Sequence, residues 1–280
     1  MFKKTYFMLA TMIATIISAV GASAQEYEDG IHSAAPGQLG FMQAATPIME
    51  DLVAFHDLLM IIITAITIFV TVILLYIFVK FNAKANPVAS KTTHNTLLEI
   101  VWTTVPVLIL VVIAIPSFRL LYAQDVIPEA DVTIKAIGNQ WYWSYEYPDH
   151  EEIMFDAIML EEGDEGYNDH PRLLGADERV VVPVNKTVVV QVTGADVIHS
   201  WTIPAFGVKQ DAVPGRLAEL LFKAEKEGIY FGQCSELCGK DHSYMPITVR
   251  AVTMVEYEEW LDNAIIEYAG KPRSLDIASN

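Results

Sequence analysis

Two long runs of hydrophobic residues dominate the first half of the chain. Residues 58–79 hold no charged side chain, and neither do residues 100–118. Each run approaches the roughly 20 residues that an α-helix needs to cross a bilayer. Two runs with so little polar surface would be unusual as buried helices of one globular core. The pattern therefore predicts a hairpin of two transmembrane helices within residues 58–121.

The connection between the two runs is basic. It contains Lys80, Lys84 and Lys91 and no acidic residue before Glu99. Loops rich in lysine and arginine stay in the cytoplasm under the positive-inside rule. We therefore expect a cytoplasmic loop near residues 80–96, with both outer flanks of the hairpin on the other side of the membrane.

The N-terminus has the pattern of a secretory signal. Lys3 and Lys4 precede an apolar stretch, and the small residues Ala-Ser-Ala close it at residue 24. Charge, apolar core and cleavage site follow in this order in export signals. We expect residues 1–24 to be removed and residues 25–57 to form an exported segment. An uncleaved membrane anchor is the alternative, and the short apolar stretch makes it weaker.

The pattern changes after residue 121. Segments rich in β-branched and aromatic residues predict strands, and glycine and proline separate them. These segments are residues 132–147, 179–192, 217–222, 229–233 and 247–252. Several short strands at such spacing are typical of a sandwich or barrel, so we expect an all-β domain over residues 122–280. Hydrophobic residues at helical spacing predict a helix over residues 254–268.

Charge follows the same division. The chain has 35 acidic and 18 basic residues, a net charge of −17, although 52% of its residues are hydrophobic. Residues 122–280 hold 28 of the acids and 12 of the basic residues, and therefore nearly all of the net charge. Such an acidic surface does not suit the phosphates of nucleic acid. A charged partner of this domain should be basic.

The densest chemistry lies between two of the predicted strands. Cys234, Cys238, His242 and Met245 fall within twelve residues, and His199 lies upstream. Soft sulfur and imidazole donors favour copper or zinc, and a methionine favours copper. A single blue-copper site uses one cysteine, so the second thiolate is left over. Two thiolates four residues apart can instead bridge two copper ions.

Three other interpretations remain open on these residues. In an exported protein, Cys234 and Cys238 can form a disulfide. A structural zinc site with two cysteines and two histidines is the second, although its usual spacings differ and methionine is not a zinc ligand. The third is that His199 is an ordinary core histidine.

The longest motif resembles the binuclear copper A loop of the cytochrome c oxidase subunit II family. It reads GQCSELCGKDHSYMP and covers residues 232–246. The resemblance extends to four further motifs: HSW at 199–201, DAVPGR at 211–216, GNQWYWSYEY at 138–147 and LEIVW at 98–102. It implies a cupredoxin-like Greek-key domain on a two-helix transmembrane hairpin. The implied copper ligands are the side chains of His199, Cys234, Cys238, His242 and Met245 and the backbone carbonyl of Glu236.

The resemblance also implies roles around the copper. The Glu236 carboxylate would help hold magnesium or manganese at the boundary with subunit I, where Asp211 and Arg216 would also lie. Trp141 would receive electrons from cytochrome c. The acids that would dock this basic protein are Glu146, Asp156, Asp177 and Asp196.

Simpler readings compete with several of these roles. Glu236 can merely face solvent, the Pro-Gly of residues 211–216 can be a plain turn, and Trp141 can belong to the core. The resemblance of LEIVW implies that Glu99 lies at the mouth of a proton-conducting path into subunit I. A carboxylate there would also stabilise the first turn of a helix.

The function implied is that of subunit II of a bacterial haem-copper oxidase. It would accept electrons from cytochrome c and pass them to haem in subunit I, where oxygen is reduced to water with proton pumping. Subunit III is expected in the same complex, and the copper domain should lie on the periplasmic side of the inner membrane. The alternatives are a quinol oxidase subunit II, a copper delivery or storage protein, and nitrous-oxide reductase. Quinol oxidases have lost the copper ligands, whereas all six positions are intact here.

Overall fold

The structure, a computed structural model, describes residues 31–35, 37–88, 90–150 and 153–269. The predicted signal peptide, residues 1–24, lies outside these residues. The described chain divides into two compact units. Residues 50–126 form one unit, and the segments before and after them together form the other.

The first unit consists mainly of two long apolar helices. Helix α1 is Pro47–Lys80 and helix α2 is Thr96–Asp125. Their most apolar windows have mean hydropathies of 3.1 and 2.5 and bury none of their residues against protein. Both helices are therefore long and apolar enough to span a membrane. Pro106 and Pro116 lie inside α2, which membrane helices tolerate better than soluble ones.

Both helices begin where a side chain caps them. The Thr46 hydroxyl accepts a hydrogen bond from the Met49 N–H, so α1 begins eleven residues before the uncharged run at residue 58. The Asn95 side chain accepts a hydrogen bond from the Leu98 N–H at the start of α2. Such caps satisfy N–H groups that have no partner within the first turn.

The second unit is an all-β domain, and its described residues form eleven strands. These are β1 (Ile31–His32), β2 (Val132–Asn139), β3 (Tyr142–Tyr147), β4 (Ile153–Ala157), β5 (Val180–Pro183), β6 (Val188–Gly194), β7 (His199–Ile203), β8 (Val208–Ala212), β9 (Ala218–Phe222), β10 (Gly228–Gln233) and β11 (Pro246–Val252). One sheet has the order β1-β10-β11-β5 and another β4-β3-β2-β6-β9, while β7 and β8 form a ribbon. This arrangement agrees with the expected cupredoxin-like domain.

Alternation along the strands builds the core of this domain. Trp143, Tyr145 and Tyr147 of β3 are buried, whereas the residues between them are partly exposed. Trp141, two residues before Trp143, precedes the strand and lies in the turn between β2 and β3. The Trp201 indole N–H donates to the Tyr145 hydroxyl, so each of these two buried polar groups has a hydrogen-bond partner.

Two short segments complete the domain. The segment before α1 joins it, because β1 pairs in parallel with β10 and Ala45 exchanges backbone hydrogen bonds with Ala205 and Glu225. After β11 follows helix α3, Met254–Ala264, which begins with a capping box between Thr253 and Glu256. The helical residues continue as a π-helical turn over Ile265–Ala269.

Candidate metal centre

The candidate ligands come together because one end of each of three strands, β7, β10 and β11, lies at the same place. Strands β10 and β11 pair antiparallel, and their last pair is Gln233 with Pro246. Cys234 and Met245 follow and precede this pair directly, so the loop between them is closed at its base. His199 is the first residue of β7, and its side chain reaches the same loop.

Five side chains and one carbonyl surround a single small volume. The Sγ atoms of the two cysteines are 3.9 Å apart. Cys234 Sγ lies 3.9 Å from His199 Nδ1 and 3.3 Å from the Glu236 carbonyl oxygen. Cys238 Sγ lies 3.5 Å from both His242 Nδ1 and Met245 Sδ. Each thiol thus has one imidazole and one weaker donor of its own.

This donor set fits copper. Both cysteines are free thiols, so the disulfide alternative is not present in the structure. The two Sγ atoms, 3.9 Å apart, are close enough for both to hold the same metal centre. His199, Cys234, Cys238 and Met245 are all at most 6% exposed, which keeps water away from these four donors, whereas His242 is partly exposed. Soft, buried sulfur and imidazole donors of this kind suit copper.

The two thiols differ in their readiness to ionise without a metal. Burial opposes ionisation of Cys234, but hydrogen bonds with the His199 side chain and with the backbone of Glu236 and Ser200 lower its pKa below the ordinary value. Burial and the neighbouring Cys234 together raise the pKa of Cys238. Cys234 is therefore the first of the pair to become a thiolate, the form that binds metal.

Asp196 fixes the ring of His199 from behind. Its Oδ1 accepts a hydrogen bond of 2.8 Å from His199 Nε2, so Nδ1 is left to face the thiols. The carboxylate also accepts from the N–H groups of Val197 and Gln140, at 2.6 and 2.8 Å. Burial would raise the pKa of Asp196, and these three hydrogen bonds lower it. Carboxylate–histidine pairs of this kind orient metal ligands in many sites.

The turn between β2 and β3 touches the cysteine loop. The Gln140 side-chain amide donates to the Cys238 carbonyl at 2.8 Å, and the Trp141 indole N–H lies 3.3 Å from the same oxygen. Gly239 makes this approach possible, because a Cβ there would lie 3.0 Å from Gln140 Nε2 and 3.1 Å from Trp141 Cζ2. Trp141 is partly buried against the ligand loop.

The four acids assigned to docking all have partners within the domain. Glu146 pairs with Lys135 at 2.9 Å, and Asp156 accepts from the Ser144 hydroxyl. Ser144 and Asp156 are directly opposed on β3 and β4, which brings Glu146 and Asp156 onto the outer face of one sheet. Asp177 accepts from the N–H groups of Ile158 and Glu178. Asp196 lies behind His199, a position that sequence reasoning did not assign to it.

The remaining predicted residues lie farther from the thiols. The Glu236 side chain is exposed, although its carbonyl faces Cys234. Asp211 lies opposite Ser200 on the β7–β8 ribbon, and Arg216 belongs to a turn in which its N–H donates to the Val213 carbonyl. Glu99 is in the first turn of α2, as the helix-stabilising interpretation requires.

Sequence reasoning missed Gly138 and Gln140 as neighbours of the ligands. Both belong to the motif GNQWYWSYEY, in which only Trp141 and Glu146 were given a role. Gln140 and Cys238 are 98 residues apart, so only the fold brings them together.

Comparison with known proteins gives matches over most of the chain. Residues 132–252 match the family model described as cytochrome c oxidase subunit II, periplasmic domain, and residues 34–120 match the model of its transmembrane domain. Cytochrome c oxidase subunit 2 of Cereibacter sphaeroides is 52% identical over 91% of this chain and 90% of its own. A probable cytochrome c oxidase subunit 2 of Rickettsia bellii is 51% identical over 81% of this chain and 84% of its own.

A solved structure is also similar. The crystal structure of the periplasmic domain of subunit II of cytochrome oxidase from Bradyrhizobium japonicum is 56% identical in sequence. The match covers 51% of this chain and 100% of the chain in that crystal structure, with a TM-score of 0.48.

Proposed function

Because the chain belongs to the cytochrome c oxidase subunit II family, we propose that its β-domain holds a binuclear copper centre that relays electrons. The donor is cytochrome c, and the acceptor is haem in subunit I. Oxygen is reduced to water in subunit I with proton pumping, so this chain serves an oxidoreductase whose oxygen-reducing site lies elsewhere.

The observation that carries the proposal is the pair of free thiols 3.9 Å apart, each with its own imidazole. His199, Cys234, Cys238, His242 and Met245 would hold the copper through side chains, and Glu236 through its carbonyl. Copper bound there would supply reversible one-electron chemistry. The chain's part is to fix these donors on strand ends and to keep water out, which limits rearrangement when the charge changes.

Trp141 is the proposed position of electron uptake. Its ring is partly exposed, and its indole N–H reaches the carbonyl of Cys238. An electron arriving at the indole would therefore have one hydrogen bond to cross before the backbone of a copper ligand. An indole at the surface also offers a polarisable contact to a haem edge.

Acidic side chains would guide a basic cytochrome c to this position. Residues 122–280 carry 16 more acids than basic residues, and attraction at this scale raises association rates. Glu146, Asp156, Asp177 and Asp196 are the residues proposed for docking. Their internal hydrogen bonds and ion pair still leave acceptor capacity for a second partner, since each carboxylate can accept several hydrogen bonds.

One boundary of the β-domain would face subunit I. The exposed carboxylate of Glu236 is the proposed ligand of a shared magnesium or manganese ion, since hard cations prefer oxygen donors. Asp211 and Arg216 would lie at the same boundary. Glu99 would lie at the mouth of a proton path into subunit I, and subunit III would complete the complex.

The proposed location is the bacterial inner membrane, with the β-domain in the periplasm. The basic connection between α1 and α2 would lie in the cytoplasm. Residues 1–24 would direct export and be removed, which N-terminal sequencing of the purified chain would test by recovering residue 25 first.

Metal analysis of the intact, detergent-purified complex tests the proposed function. We expect two copper ions per chain and the near-infrared absorption of a mixed-valence pair. Cys234→Ser and Cys238→Ser should each abolish this absorption, whereas Ser235→Ala, an exposed neighbour in the same loop, should keep it. Zinc in place of copper, or a disulfide between the two cysteines in the active complex, would refute the proposal.

A further inference from the structure

Gly138 lies against the ring of a proposed copper ligand. It is the last residue but one of β2, and a Cβ built on it would lie 2.7 Å from both Cγ and Cδ2 of His199 and 2.8 Å from its Cβ. Non-bonded carbon atoms favour about 3.5–4.0 Å. The backbone of Gly138 is not in the left-handed region, so the close approach, and not the backbone conformation, requires glycine.

The ring of His199 has little room to move away. Its side chain is fully buried, and Nε2 is held by Asp196 at 2.8 Å. The edge of Trp143 closes another side, with ring centroids 6.0 Å apart. The Ala195 N–H also donates to the Gly138 carbonyl at 2.9 Å, which ties the loop that leads to His199 to the same residue.

We propose that Gly138 is a positioning residue for the copper centre. Its missing side chain leaves the space that sets the tilt of the His199 imidazole toward the thiols. The inference rests on the proposed function, because it concerns how firmly and in which orientation His199 holds copper. A methyl group at position 138 would displace the ring itself, whereas most core substitutions act on a ligand only through several intervening residues.

The chain contains a matched control for this contact. A Cβ at Gly175 would lie 2.7, 2.9 and 3.0 Å from the Cδ2, Cβ and Cγ atoms of His170, and the backbone of Gly175 is also outside the left-handed region. His170 is not among the proposed ligands. Gly175→Ala therefore reproduces the steric conflict between an alanine and a histidine ring at a histidine that is not a proposed ligand. Gly40→Ala adds a methyl group where nothing lies within 4 Å.

The test compares Gly138→Ala, Gly175→Ala and Gly40→Ala in the assembled, detergent-purified oxidase. Copper retention against a graded series of chelator concentrations reports affinity. Electron–nuclear double resonance of the histidine nitrogens reports ring orientation, and a redox titration reports the midpoint potential of the copper centre. Changes in the partners of a metal ligand typically cost 10–100-fold in affinity, so we expect at least about a tenfold loss of copper affinity for Gly138→Ala.

The outcomes separate this inference from the proposed function. We expect altered histidine couplings and a shifted potential for Gly138→Ala, with both controls like the unmodified chain. Unchanged couplings and potential in a copper-loaded Gly138→Ala complex would overturn the positioning role alone. The same changes in Gly175→Ala would overturn it too, because a general loss of packing would then explain them. An unmodified complex without a copper signal would instead defeat the proposed function.

Discussion

Asp196 accepts a hydrogen bond of 2.8 Å from His199 Nε2, on the side of the ring that faces away from the thiols. The carboxylate is itself held by two backbone N–H groups. It therefore selects which imidazole nitrogen faces the proposed copper. An acid assigned to docking on its sequence thus has a second task at the centre.

Replacing Asp196 with asparagine separates these two tasks. The amide oxygen can still accept from Nε2, but the negative charge is lost. We expect the midpoint potential of the copper centre to rise, because a nearby negative charge favours the more positive, oxidised state, and copper affinity to fall by about tenfold. Redox titration and chelator competition measure the two effects.

High salt provides the control for this prediction. Salt screens the attraction between docking partners. It does not screen the effect of Asp196 on the potential, which acts through the hydrogen bond to His199, so the potential shift should persist at high ionic strength. Asp164→Asn removes a charge from the acidic segment of residues 161–165 and should leave the potential unchanged. A potential equal to that of the unmodified chain would leave Asp196 with a docking role only.

Substitution of Trp141 tests electron uptake. Trp141→Phe keeps an aromatic ring but removes the indole N–H that reaches the Cys238 carbonyl. We expect slower reduction of the centre by cytochrome c with the copper content unchanged, and a larger effect for Trp141→Gln, which also removes the ring. Stopped-flow reduction at low salt is the measurement. Trp260→Phe, whose ring packs on Tyr147, is the matched control and should reduce at the normal rate.

The ion pair between Lys135 and Glu146 allows a test of docking in both directions. Glu146→Gln should raise the KM for cytochrome c at low salt, because an attractive charge is lost. Lys135→Met should lower it, since it removes a positive charge and frees the carboxylate. Both effects should shrink as salt rises, the Debye length falling to about 8 Å at physiological ionic strength. Equal KM values for all three chains at low salt would remove Glu146 from the docking surface.

Thr46 makes two buried hydrogen bonds where α1 begins. Its hydroxyl donates to the Phe206 carbonyl at 2.7 Å and accepts from the Met49 N–H at 3.1 Å, and the residue is fully buried. Thr46→Val should destabilise the chain by about 1–3 kcal/mol, as expected when a buried carbonyl and a helix cap both lose their partner. The temperature at which the copper absorption is lost should fall, and Thr46→Ser should keep it near the original value.

Much of the architecture could be predicted from local pattern. Both membrane helices, five strand-bearing segments and the final helix follow from periodicity, and the family comparison confirms the resemblance carried by the copper loop. Strands β1, β4, β7 and β8 were missed. His199–Ile203 and Val208–Ala212 are short and mix ligands, hydroxyls and charges with few apolar residues, so their burial comes from the ribbon's place in the fold.

At the site, the contacts that could not be predicted from the sequence join residues that are far apart along the chain. The spacing of Cys234 and Cys238 is visible in the sequence, but the approach of Gln140 to Cys238 spans 98 residues. The closeness of Gly138 to His199 likewise depends on how β2 and β7 pack. Neither contact is marked in the local sequence, where only a glycine and a glutamine stand near Trp141.

The pairing of Ile31 with Ile229 and of His32 with Tyr230 also fixes the parity of membrane crossings. One partner precedes α1 and the other follows α2, so both must emerge on the same face of the bilayer, which only an even number of passes allows. This conclusion does not depend on the lysines between the helices. Deleting either helix would leave the two partners on opposite faces. Strand β10, which leads to Cys234, would then lose its pairing with β1.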